Sequence, residues 1–156
     1  RGLGDVYKRQ VVYSLFKMGF EFEGLTISPN GKSLLLACKK HEKKKRDDHL
    51  WVFEFDLKSK QLLKDPFLKL SKDKIIKSFR PSGIAFHPNG NLFIISGVSN
   101  TIMELNQNFE IVNQTKLPEF KYPQVEGICF DLNGGLYLSS EKDYLENGKL
   151  YFLKQL

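Results

Sequence analysis

Three residues able to supply oxygen ligands stand at one recurring offset. Glu23, Ser82 and Glu126 each precede a glycine (Gly24, Gly83, Gly127) that opens a short apolar run, and Glu141 follows the second apolar run of the last such unit. Carboxylates drawn together from separate segments suit a hard cation such as Ca²⁺, which takes about 6 to 8 oxygen ligands. Without a cation, clustered carboxylates raise one another's pKa by like-charge repulsion. Glu23, Glu126 and Glu141 are therefore the expected metal ligands, with Ser82 offering a hydroxyl at the same level. Two other roles fit the acids equally: accepting hydrogen bonds from backbone N–H groups of neighbouring segments, or simple solvation.

A second group is basic. Lys39, Lys40, Lys43, Lys44, Lys45 and Arg46 crowd one short stretch. Such a run is ordinarily a solvated loop. Its functional alternative is docking onto an anionic membrane or polysaccharide surface, where each basic residue contributes roughly 1 kcal/mol. The run also accounts for most of the formal charge of +6. Outside it and the first ten residues the chain is close to neutral, so the charge gives no reason to expect a nucleic-acid partner.

Other chemistry is thinly represented. His41, His49 and His87 show no metal-ligand spacing, and none stands in a pattern that implies a Ser-His-Asp triad. Cys38 and Cys129, far apart on strand-like patterns, make neither a disulfide framework nor a zinc spacing and read as small buried side chains. Asn113-Gln114-Thr115 matches a glycosylation acceptor, but within an expected strand. No apolar run approaches the ~20 residues of a membrane-spanning helix.

The elements that must position the acids repeat. Glu23-Gly24-Leu25-Thr26-Ile27-Ser28-Pro29-Asn30-Gly31 returns as Ser82-Gly83-Ile84-Ala85-Phe86-His87-Pro88-Asn89-Gly90, and again as Glu126-Gly127-Ile128-Cys129-Phe130-Asp131-Leu132-Asn133-Gly134. Each copy reads as an inner β-hairpin, with Asn and Gly supplying the positive φ of a tight turn. The copies start 59 and 44 residues apart, in the range of propeller blades. Further strands follow at 50–57 and a weaker one at 62–70, then at 101–105 and 111–117, then at 149–153. Apolar residues at adjacent inner-strand positions suit burial on both faces, as stacked blades require.

The expected fold is all-β: a β-propeller fragment of about three four-stranded antiparallel blades, at about 23–70, 82–117 and 126–156, truncated at the N-terminus. Residues 11–22 are expected to form the outer strand of a preceding blade. Residues 5–10 back-translate to GAT GTG TAT AAG AGA CAG, the transposase end used to tag sequencing libraries, so residues 1–10 are expected to be an adapter scar. Propellers hold about 4 to 8 blades, which makes the chain the C-terminal half of one on this reading. By their shared offset, Glu23, Ser82 and Glu126 should ring one mouth of the central channel.

Three motifs in order, Phe22-Glu23-Gly24-Leu25-Thr26, Pro81-Ser82-Gly83-Ile84-Ala85-Phe86-His87-Pro88 and Pro123-Gln124-Val125-Glu126-Gly127-Ile128-Cys129-Phe130-Asp131, resemble the SdiA-regulated family. The chain departs from that pattern at Val125, which separates Gln124 from Glu126, and at Ser139-Ser140-Glu141, where the family often has Ser-Asn-Glu. The resemblance implies a propeller of the bacterial cell envelope, periplasmic or membrane-anchored, related to calcium-associated propellers. A non-catalytic protein binding a small ligand or envelope partner at the channel mouth is expected. The alternative is a metal-dependent phytase-like phosphoesterase or lactonase.

Overall fold

In the computed structural model the described residues are 19–41, 48–141 and 147–154. They form three antiparallel sheets in chain order. The first contains β1 (Phe20–Ile27), β2 (Ser33–His41) and β3 (His49–Asp56), with β4 (Gln61–Leu62) and β5 (Leu68–Ser71) both paired to β3. The second runs β6 (Gly83–Phe86), β7 (Leu92–Ser96), β8 (Thr101–Leu105) and β9 (Ile111–Lys116). The third holds β10 (Val125–Phe130), β11 (Leu136–Ser140) and β12 (Leu150–Leu153). No helix among the described residues is long and apolar enough to cross a membrane.

One local device is used three times. Gly31, Gly90 and Gly134 take φ of 67°, 93° and 84°, values that cost a glycine little. Their N–H groups donate to the carbonyls of Ser28, His87 and Asp131 at 2.8, 2.9 and 3.1 Å. A side-chain oxygen of Asn30, Asn89 or Asp131 accepts a backbone N–H two residues on, at 2.8–2.9 Å. Short-range turn chemistry thus sets the register of every inner hairpin.

Two cores hold the sheets face to face. Leu35, Val52, Ile84, Ile94, Met103 and Leu105 lie between the first and second sheets, and Phe93, Ile95, Ile102, Val125, Leu136 and Leu138 between the second and third. All five residues of β7 are buried. Its side chains alternate between faces with period two, so Ile94 enters one core and Ile95 the other. The inner strands β1, β6 and β10 stand side by side, closely enough to require glycine. A Cβ added to Gly24 would lie 3.0 Å from Ile84 Cγ2, and one added to Gly83 would lie 3.0 Å from the Glu126 carbonyl. Stacked blades with close-packed inner strands make this a β-propeller architecture.

Four expectations change. Residues 20–22 open β1 itself, with Phe20 opposite His41, and are not the outer strand of another blade; residues 1–10 and 11–18 lie outside the described residues. The expected strand at 62–70 divides into β4 and β5, because the turn around Asp65 and Pro66 interrupts its pairing with β3. Cys129 is exposed while Cys38 is buried. Leu25 and Ile27 are 61% and 54% exposed, unlike their repeat counterparts Ile84 and Phe86; among the described residues no sheet packs on that side of β1.

Candidate site at the channel mouth

The N-terminal ends of β1, β6 and β10 bring the recurring offset to one place. Glu23 lies in the register shift of β1 between the Phe22–Cys38 and Gly24–Ala37 pairs, and its Oε1 accepts from Lys39 Nζ at 2.6 Å. Both side chains are just under one-third exposed, at 29% and 28%, so the pair is only partly screened. Partial desolvation of the pair is accompanied by a hydrogen bond, which keeps it favourable. That hydrogen bond, with the nearby charges of Glu23, Glu21 and Glu126, raises the Lys39 pKa.

Glu126 is the chemically unusual member. Its carboxyl packs over Gly97 so closely that a Cβ there would sit 2.7 Å from Glu126 Oε1. Burial, then the negative charges of Glu23 and Glu141, push its pKa above the ordinary carboxylate range, against the opposing effect of Lys39. Glu126 thus feels the charges of Glu23, Glu141 and Lys39. Glu141 itself is exposed, and its backbone N–H reaches the Gln124 carbonyl at 3.4 Å.

Ser82 takes a different role from the one expected of it. It is 7% exposed, and its Oγ donates to the Val125 carbonyl at 2.9 Å while accepting from the Gly97 N–H at 3.1 Å. The hydroxyl thus ties the second blade to the third and fixes the Gly97 seat under Glu126. Its O–H and one of its two acceptor lone pairs are thus engaged inside the protein.

The basic group is likewise divided. Lys39 pairs its ammonium with Glu23. Lys40 pairs with Glu21 through the backbone of β2. Lys43, Lys44, Lys45 and Arg46 lie outside the described residues.

Among the described residues no three His, Cys, Asp or Glu side chains converge closely enough to hold a metal ion. Of Glu23, Glu126 and Glu141, Glu23 is engaged by Lys39 through Oε1. Sequence reasoning missed Gly97, Asn100 and the Val125 carbonyl. Asn100 adopts φ 49° in the turn that follows Gly97, and there Ser99 Oγ and Asn100 Oδ1 are buried without a protein partner. Such atoms are ordinarily satisfied by bound water. The only sequence signal was a Gly and an Asn between two apolar runs, which any turn would show.

The raised pKa has a signed consequence. Between the ordinary value and the raised one, the folded chain holds a proton that the unfolded chain has released, so stability rises as pH falls through that window. The destabilisation is complete at neutral pH. Glu126→Gln, uncharged throughout, is expected to melt a little higher than the parent at pH 7. It should match the parent below the ordinary value of 4.5; parallel thermal melts across pH check this.

The stacked blades and the polar mouth define a β-propeller with a candidate binding site at the ends of its inner strands. The chain belongs to the SdiA-regulated family, whose model matches residues 8–145. No curated protein matches the sequence. In fold the chain is similar to luciferin-regenerating enzyme, with 20% identity over 86% of this chain and 45% of that one and a TM-score of 0.59. It is also similar to a chain of the nidogen/laminin complex, with 14% identity over 87% and 45% and a TM-score of 0.58. A candidate 6-phosphogluconolactonase from Bacteroides uniformis gives 15% identity over 87% and 42% and a TM-score of 0.57. The chain spans less than half the length of these structures. At such identities the likeness shows the fold alone.

Proposed function

We propose that this chain is part of a non-catalytic cell-envelope propeller that binds a cationic ligand or partner at the mouth lined by Glu23, Lys39, Glu126 and Glu141. The observation that carries the reading is Glu126: a partly buried carboxyl set among other acids is poised to ionise when a cation arrives. Only one described cation, Lys39, opposes three acids there. Ca²⁺ is the proposed ion. Glu126 and Glu141 would supply carboxylates, and water or further blades would supply the remaining oxygens. The envelope location rests on the family resemblance.

Ca²⁺ binding should displace the Glu126 proton. Calorimetric titration with CaCl₂ at mildly acid pH, in buffers of different ionisation heat, is expected to give buffer-dependent heats in the parent and buffer-independent heats in Glu126→Gln. Equal heats in parent and variant would remove Glu126 from the site, and no heat would remove the ion. The similarity to a candidate 6-phosphogluconolactonase keeps a second reading in view, a metal-dependent lactonase or phytase-like phosphoesterase. Ca²⁺-dependent hydrolysis of gluconolactone or phytate, abolished in Glu126→Gln, would replace the non-catalytic reading.

A further inference from the structure

At the opposite end of the inner strands, the turns after β6 and β10 enclose a cleft of about 370 Å³ between the second and third blades. Ligand sites of about 300–1,000 Å³ with an apolar wall and a few placed polar groups are the usual form of a small-molecule pocket. The wall here is aromatic. His87 and Phe130 meet edge to face at 4.9 Å, and Phe93 lies 4.9 Å from Phe130.

Glu104 is the unexpected lining residue. It stands opposite Phe93 in the β7–β8 pairing and so shares the sheet face of Ile102 and Ile95, both buried against the third blade. A carboxylate in that face costs stability unless it is hydrogen-bonded. Its Oε1 accepts from Asn91 Nδ2 at 2.7 Å, and among the described residues no donor reaches Oε2. Lys154, the residue after β12, also lines the cleft. His87 Nδ1 accepts the Asn89 N–H at 3.1 Å, which places the proton of a neutral ring on Nε2. Against that ring, Gly134 is obligatory, since a Cβ there would lie 2.6 Å from His87 Nε2.

We infer that this cleft binds an acidic monosaccharide. The apolar face of a pyranose ring packs against Phe130 and His87. Glu104 Oε2 accepts from ring hydroxyls, and Lys154 pairs with the sugar carboxylate. A neutral sugar would leave the Lys154 ammonium unused, and an apolar ligand would desolvate Glu104 without return. The site is separate from the channel mouth and does not depend on the function proposed for it.

The test is titration of the 156-residue chain with glucuronate and, separately, glucose, followed by ligand-observed NMR. Glucuronate is expected to bind more tightly than glucose. Glu104→Gln, which keeps a carbonyl for Asn91, is expected to weaken glucuronate binding about tenfold, the loss of one charge-assisted hydrogen bond. Lys154→Gln should weaken glucuronate about tenfold and leave glucose unchanged. Unaltered circular dichroism of both variants separates lost binding from lost fold. Absence of binding, equal affinity for the two sugars, or binding undiminished in Glu104→Gln would overturn the assignment.

Discussion

Truncation of Ile94 or Ile95 to alanine is expected to cost about 2–5 kcal/mol in each case, read as a fall in denaturation midpoint at constant slope. Both side chains are fully buried, and each opens a cavity in a different core. Ile94 packs with Leu35, Val52 and Met103 between the first and second blades. Ile95 packs with Leu136 and Leu138 between the second and third. Because β7 is the wall common to both cores, neither loss should be confined to one seam. The melt of each single variant should remain coincident by tryptophan fluorescence, which reports Trp51 in the first blade, and by far-ultraviolet dichroism, which reports all three sheets. A fluorescence transition unmoved by Ile95→Ala would show that the blades unfold independently.

The second large effect is at Ser82. In Ser82→Ala the Gly97 N–H and the Val125 carbonyl both lose their partner in a buried setting. Each unsatisfied group costs about 1–3 kcal/mol, so a combined loss of roughly 2–6 kcal/mol is expected. The change also loosens the Gly97 seat, which should let water reach Glu126 and bring its pKa back toward the ordinary range. Carboxyl titration by NMR would therefore show a lower Glu126 midpoint in Ser82→Ala than in the parent. A destabilised variant with an unmoved midpoint would separate the seam from the site. Ser82→Thr, which keeps the hydroxyl, should recover most of the hydrogen bonding where its methyl is tolerated.

These two positions show how unevenly the molecule could be read from its residues. The inner hairpins were legible because their turns are made within a few residues: Gly31, Gly90 and Gly134 take the positive φ, and Asn30, Asn89 and Asp131 supply the side-chain caps, without reference to the rest of the fold. The pairing of Gly24, Gly83 and Gly127 with the repeat offset was legible for the same reason. The site was legible only in part. The shared offset placed Glu23 and Glu126 together, but Ser82 at that same offset turned inward, because the neighbouring Val125 carbonyl and Gly97 N–H offered partners that no local pattern reveals.

The sequence by itself determined the three repeated hairpins, their register and the propeller class, since these follow from short-range turn chemistry and period-two patterning. Only the tertiary structure decided which charges meet. Lys39 pairs with Glu23 across β1 and β2. Glu126 is desolvated by a turn of another blade, and Glu104 shares a sheet face with buried isoleucines beside a cleft. Electrostatic environment depends on distance and burial between segments tens of residues apart, and those are set by how the blades stack.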